Sequence, residues 1–168
     1  MTAGIEVRPA RAADAEAMAR IFREGIEDRV ATLQTQPPPA EAMARLASAG
    51  EPVLVADRDG ELAGWARVAP YDPVNAYYAS VGEATIYVAR AHRGQGVGSA
   101  LLDRLCAAAE AAGFHKLTGK VFTTNEASIE LFERHGWSSV GVHRRHGRLD
   151  GEWKDVLVVE KLLGDAAA

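Results

Sequence analysis

The stretch GEATIYVARAHRGQGVGS, residues 82–99, decides the fold. Its first half reads as a strand, because Thr85, Ile86, Tyr87 and Val88 are β-branched or aromatic. Alternation puts Ala84, Ile86 and Val88 on one face and Glu83, Thr85 and Tyr87 on the other. Arg93-Gly94-Gln95-Gly96-Val97-Gly98 then breaks the strand, and a helix follows with Val97, Leu101, Leu102, Leu105 and Ala109 at helical spacing. Glycines let backbone N–H groups approach an anion without a Cβ in the way, and a helix's first turn has unpaired N–H donors and partial positive charge. Strand, glycine-rich turn and helix in this order suit a pyrophosphate. Two other phosphate loops are excluded. A Walker loop ends in Gly-Lys-Ser/Thr, and Gly98-Ser99 has no lysine between. A dinucleotide unit places GxGxxG after its first strand, whereas Gly94, Gly96 and Gly98 lack that spacing and lie mid-chain. Taken alone, these glycines also fit a tight strand-to-helix turn with no ligand.

Outward from this unit the composition is that of one soluble globular domain. The chain has 168 residues, 48% apolar and 25% charged, which is enough to build a core. Its formal charge of -4 argues against a general nucleic-acid binder, whose sequence-independent affinity needs an excess of positive charge. Cys106, the single cysteine, forms no internal disulfide, which suits a reducing compartment, and its helical position reads as packing. The opening MTAGIEVRPA has no charged lead before an apolar block, and no apolar run reaches membrane-spanning length. The sequence therefore reads as cytoplasmic, with neither a nucleic-acid nor a membrane partner.

The remaining elements follow from periodicity and turn chemistry. Ile5 to Arg8 is a first strand stopped by Pro9, and Asp14 stands to cap a helix carrying Met18, Ile21, Phe22 and Ile26 on its core face. Residues 27–38 lose the period and lead through prolines 37–39 into a short helix with Met43 and Leu46. Val53 to Asp57 and Leu62 to Val68 form a hairpin across Arg58-Asp59-Gly60. The loop 69–82 is aromatic, and Tyr71, Tyr77 and Tyr78 either line a pocket or cover the sheet edge. Gly113 ends the central helix, Lys116 to Phe122 is a strand, and Asn125 caps a helix with Ser128, Leu131 and Phe132 inward, ended by Gly136. Two strands, about 137–146 and 152–161, close the chain around Leu149-Asp150-Gly151. Alternation divides His143, Arg144, Arg145, His146 and Arg148 between two faces of a solvated strand end, and no acid or cysteine accompanies the histidines at ligand spacing. Trp153 and Asp155 read as support for a pocket or a contact between copies, or as turn packing.

Arg93-x-x-Gly96-x-Gly98 after a strand resembles the acetyl-CoA pyrophosphate signature of the GNAT N-acetyltransferases, and Asn125 with the Phe132–Trp137 helix end resembles their later CoA-contacting segment. The run Gly25–Thr32, Glu83 heading its strand, and Trp153-Lys154-Asp155-Val156 resemble the phosphinothricin and arsinothricin acetyltransferases within that superfamily. The resemblance spans nearly the whole chain. It implies an α/β (α+β) fold, a single GNAT domain over 1–168 with its core at about 5–163, and a mixed central sheet flanked by helices. It also implies acetyl-CoA as co-substrate, no metal, a homodimer, and a small-molecule amine as acceptor, of the phosphinothricin, methionine sulfoximine or arsinothricin type.

Residue by residue, the resemblance implies that Arg93, Gly94, Gln95, Gly96, Val97, Gly98 and Ser99 hold the pyrophosphate. Ile86, Tyr87 and Val88 pair with the pantetheine arm, with the Val88 N–H toward the thioester oxygen, and Asn125 contacts CoA. Glu83 becomes the general base; without the resemblance it is an ordinary solvated strand end. Arg29, Leu33, Tyr71 and Tyr78 are the candidate acceptor contacts, Leu33 standing where the subfamily has phenylalanine. Phe132 departs from the tyrosine common in the superfamily and cannot donate a proton to the leaving thiolate. Acetyl transfer to another amine or to a protein N-terminus, and CoA binding without catalysis, are the alternatives. The loop 71–78 has no arginine or lysine, and Arg29, Arg67 or the 144–148 cluster are the cations that could compensate; a doubly anionic acceptor such as phosphinothricin is expected to be a weaker substrate than the subfamily name implies.

Overall fold

The computed structural model describes residues 4–168; residues 1–3, included in the expected domain, lie outside the described residues. The strands are β1 (Ile5–Pro9), β2 (Val53–Arg58), β3 (Glu61–Pro70), β4 (Val81–Val88), β5 (Lys116–Phe122), β6 (Ser138–Leu149) and β7 (Glu152–Leu162). The helices are α1 (Ala15–Glu27), α2 (Ala40–Ala47), α3 (Val97–Ala111) and α4 (Glu126–Arg134). The strands form one mixed sheet in the order β1-β2-β3-β4-β5-β7-β6, in which β4 and β5 are parallel and the other neighbours antiparallel. This is the mixed, helix-flanked fold expected from the sequence. Among the described residues no helix is long and apolar enough to cross a membrane.

Strand alternation decides which helices cover which face. Leu54, Ala56, Ala66, Val68 and Ala84 meet Val97, Leu101, Leu102 and Leu105 of α3 and Phe132 of α4. On the opposite face Val53, Val55 and Trp65 meet Met18, Ile21, Phe22 and Ile26 of α1 and Met43 of α2. Trp65 also donates its indole N–H to the Met18 carbonyl at 3.1 Å, satisfying a buried donor and pinning α1 to β3.

Three local expectations change. Asp14 makes no side-chain cap on α1; a 3-10 turn, Ala12–Asp14, comes first, and its carboxylate takes the Arg11 N–H at 2.8 Å and the Arg8 guanidinium at 2.8 and 2.9 Å. A charge-assisted fork outcompetes a single cap bond there and ties β1 to the start of α1. The loop before the central strand shrinks to 71–80, because β3 runs on to Pro70 and β4 begins at Val81. Third, β6 extends to Leu149 but its register breaks: His143 faces Val156 and Gly147 faces Lys154, so Arg144, Arg145 and His146 all stand opposite Asp155. The bulge carries Arg145 at φ 50, whose N–H donates to Asp155 Oδ1 at 2.7 Å. The basic cluster is therefore not divided by simple alternation.

The Arg8 hydrogen bonds hold the Asp14 carboxyl below its ordinary value of 3.8. A depressed carboxyl stabilises the fold fully above that value and loses its contribution as pH falls through the folded one. Asp14→Asn should cost about 2 kcal/mol at neutral pH. The gap between variant and wild type should close in denaturant melts taken below pH 3.8; a gap independent of pH would show that the ion pair is not its source.

Candidate active site

β4 and β5 are partners only from Val81 to Glu83 against Lys116 to Thr118, after which they part while β4 stays paired to β3 as far as Val88. The β3 register fixes which backbone groups are left over. Tyr71 N–H donates to Val81 O at 3.1 Å and Ala89 N–H to Ala63 O at 2.8 Å, so the odd-numbered residues of β4 spend their N–H and C=O on β3. Ala84, Ile86 and Val88 turn theirs into the gap, where a cleft of about 1200 Å³ opens. At its mouth the Val88 carbonyl accepts from Arg93 Nε at 3.2 Å, and Arg93 Nη1 lies 2.5 Å from Asp28 Oδ2. Arg90 takes the other oxygen of Asp28 at 2.8 Å. Hydrogen bonds from Arg90 and then Arg93 hold the Asp28 carboxyl below its usual range.

Gly94, Gly96, Val97 and Gly98 line the same cleft. Gly96 is the N-cap of α3 in the left-handed region, φ 86, a conformation that costs glycine little, and no side chain caps the helix. Its first-turn N–H donors are left without a side-chain partner. Gly98 has a different duty. A Cβ there would stand 3.1 Å from Leu131 Cδ2 and 3.7 Å from Val88 Cγ2, so this glycine lets α4 pack against the start of α3.

The segment after α1 crosses over the cleft as a strap fastened at three points. Arg29 pairs with Asp150 at 3.1 Å, Asn125 Nδ2 donates to Val30 O at 3.2 Å, and Leu33 lies against Gly147, where a Cβ would fall within 2.4 Å of Leu33 Cδ1. Thr32, Leu33 and Gln34 thereby line the cleft opposite Trp65, Arg67 and Tyr87. Tyr87 packs between Phe22 and Trp65, with ring centroids 4.6 and 5.2 Å away, and burial pushes its hydroxyl up to about 12. It is a neutral wall at physiological pH.

Glu83 sits where the strands part, about a third exposed, with Oε2 3.0 Å from Lys120 Nζ. The cleft brings together Glu83, Ile86, Tyr87, Val88, Arg93, Gly94, Gly96, Val97, Gly98, Asn125 and Leu33 from the residues singled out in the sequence. Others stand elsewhere. Tyr87 contributes its ring, since β3 takes its backbone groups. Gln95 points away, bonded to Arg58 and to Ala91 O, and Ser99 Oγ lies 3.0 Å from His135 Nε2, whose Nδ1 is 2.6 Å from Asp103. Asn125 divides its side chain between capping α4 through Ser128 N–H at 3.2 Å and holding the strap. Arg29 belongs to the strap's fastening, and Tyr71 and Tyr78 pack edge to face at 5.6 Å outside the cleft. Tyr77 is almost wholly exposed.

Arg67, Lys120 and His146 also line the cleft; the sequence offers Arg67 and the 144–148 cluster only as compensating cations and does not point to Lys120. Alternation along β3 carries a signal for Arg67, which shares a face with Trp65 and lies opposite Thr85. His146 stood out only as one member of the 143–148 basic cluster, whose register break the strand pattern does not show. Trp153 lies under the Arg148 guanidinium, 4.4 Å from ring centroid to Cζ, as surface packing.

The Acetyltransferase (GNAT) family model matches residues 15–137. A phosphinothricin N-acetyltransferase of Streptomyces viridochromogenes is 36% identical over 155 residues, 90% of this chain and 84% of that one. An L-methionine sulfoximine/L-methionine sulfone acetyltransferase of Pseudomonas paraeruginosa is 34% identical over 112 residues, 66% of this chain and 64% of that one. The crystal structure of a phosphinothricin acetyltransferase from Sinorhizobium meliloti in complex with AcCoA superimposes with a TM-score of 0.91 at 30% identity, covering 99% of this chain and 91% of that one.

The contact at Gly98 is testable apart from any ligand. Gly98→Val pushes a branched side chain onto Leu131 and should cost about 1–3 kcal/mol in a denaturant melt. Leu131→Ala in the same chain should return part of that loss; strictly additive costs would show that the two residues do not press on each other.

Proposed function

The chain belongs to the acetyltransferase (GNAT) family, and on that premise we propose that it moves the acetyl group of acetyl-CoA onto the α-amine of a small amino-acid-like compound. Phosphinothricin, methionine sulfoximine and arsinothricin define the type. The observation that carries the reading is the place of Glu83, at the fork of β4 and β5, on the cleft that the glycine loop and the strap also line.

The residues present fit acetyl-CoA. The glycine loop and the uncapped start of α3 offer backbone donors for a pyrophosphate, and the unpaired edge of Ala84, Ile86 and Val88 offers a strand-like row of groups for an amide-bearing arm. On this reading the Val88 N–H, unspent on β3, takes up the negative charge developing on the thioester oxygen.

Lys120 holds one carboxylate oxygen of Glu83, Oε2, which leaves the other for the acceptor. Glu83 takes a proton from the acceptor's ammonium and frees the nitrogen lone pair. The nitrogen attacks the acetyl carbonyl carbon; an N–C bond forms, the nitrogen gives up its second proton to water, the C–S bond breaks, and the electron pair leaves with sulfur. Phe132, buried edge to face on Trp137 at 4.8 Å, has no proton to give, so the thiolate is protonated from water. A thiol with an ordinary pKa near about 8.5 is an adequate leaving group without help. Glu83, being partly exposed, returns its proton to solvent.

Glu83→Gln keeps the shape and removes the base. Turnover should fall by about a hundredfold or more at neutral pH, while calorimetry shows acetyl-CoA affinity retained. Wild-type turnover with an unchanged pH profile would return Glu83 to the status of a strand end.

A further inference from the structure

An amino-acid acceptor brings a carboxylate next to the reacting amine, and a carboxylate entering a half-buried cleft needs charge-assisted donors to replace its water. The loop 71–80 supplies no cation. The basic side chains lining the cleft are Arg67, His92, Arg93, Lys120, Arg134 and His146. Arg93, Lys120 and Arg134 are engaged, and the two histidines each lie beside another side chain. Arg93 is held by Asp28 and the Val88 carbonyl, Lys120 by Glu83, and Arg134 by the Glu130 carbonyl at 3.4 Å; His92 lies 3.6 Å from Glu61, and His146 stacks on His143 at 4.4 Å. Of the arginines and the lysine among them, Arg67 alone has neither an ion pair nor a hydrogen bond among the described residues; His146 has neither but offers no fork of donors.

Its position fits the task. Arg67 lies opposite Thr85 and Ala69 opposite Glu83, so Arg67 and Glu83 are diagonal neighbours on one face of the sheet. Such neighbours stand about 7 Å apart at Cβ, and an arginine side chain readily covers that span. An α-amino acid carries its amine and carboxylate on one carbon, so with its nitrogen at Glu83 its carboxylate comes within reach of the Arg67 fork. Small Ala69 and Thr85 leave the room for it, and Trp65 and Tyr87 on the next rung close the wall.

We infer that Arg67 receives the α-carboxylate of the acceptor, and that a single uncommitted guanidinium favours α-amino acids with an uncharged side chain over those with a second anionic group. This rests on the acetyltransferase reading of the cleft and names the substrate class within it. A planar fork suits two carboxylate oxygens at once, which lysine does not reproduce in full.

The test measures acetyl transfer to L-methionine sulfone, to its primary amide and to phosphinothricin by wild type, Arg67→Gln and Arg67→Lys, with melts confirming that each variant is folded. Arg67→Gln should raise KM for L-methionine sulfone by about 30- to 300-fold, with a much smaller change in kcat. It should also abolish the wild-type preference for the acid over its amide, Arg67→Lys should recover part of it, and wild type should have a higher kcat/KM for L-methionine sulfone than for phosphinothricin. A folded Arg67→Gln enzyme that still prefers the acid, or a wild type that prefers phosphinothricin, overturns the inference. Should wild type acetylate none of the three, the functional reading fails instead. Calorimetry of L-methionine sulfone on the CoA-loaded protein then decides the role of Arg67: binding lost in Arg67→Gln upholds it, and binding equal to wild type or absent from both overturns it.

Discussion

Everything in this molecule that concerns ligands depends on the point at which two parallel strands stop being partners. β4 and β5 share a ladder for three residues and then part. An unpaired strand edge inside a domain is costly when nothing answers its polar groups. Here it faces a large cleft, with Leu131 of α4 packed beside Val88 and Gly98 where the helices meet the gap. The separation thus creates a row of unspent backbone groups, an adjacent helix start with free N–H donors, and a carboxylate at the fork.

The cleft is closed on its second side by long-range contacts. The strap after α1 has no regular structure of its own, yet it is fixed by an ion pair to the β6–β7 turn, a hydrogen bond from the cap of α4, and a leucine seated on a glycine of β6. Asn125 joins two tasks: one end of its amide starts α4 and the other holds the strap. Loss of that side chain therefore changes both the helix and the roof, so it cannot be interpreted as the loss of a ligand contact alone.

Charge in the cleft is arranged economically. Asp28 absorbs two arginines at the mouth and Glu83 absorbs Lys120 at the fork, which leaves Arg67 as the arginine of the cleft without an ion-pair or hydrogen-bond partner among the described residues. Uncompensated charge in a partly buried place is unfavourable unless a ligand answers it. An acceptor bearing a carboxylate would supply that answer. The aromatic wall of Phe22, Trp65 and Tyr87 adds shape without charge, since burial keeps the Tyr87 hydroxyl protonated.

The sequence by itself determined the element order, the two faces of β4, the glycine-led start of α3 and the hairpin turns at Asp59-Gly60 and Asp150-Gly151, because each rests on residues close together in the chain. Side-chain alternation placed Glu83 and Tyr87 on one face and Ile86 and Val88 on the other, as they stand in the structure. What lay beyond local pattern was decided by tertiary structure. Asp14 looked like a cap until Arg8 came within 2.8 Å; Arg29 finds Asp150 across the fold, and Tyr71 and Tyr78 pack on each other within their own loop. His146 entered the cleft only through a bulge that a strand pattern does not announce, and Arg67 became distinctive only once the other arginines and the lysine of the cleft were seen to be engaged among the described residues. Periodicity fixes the face on which a side chain lies, whereas the partner it finds there depends on segments brought together by the whole fold.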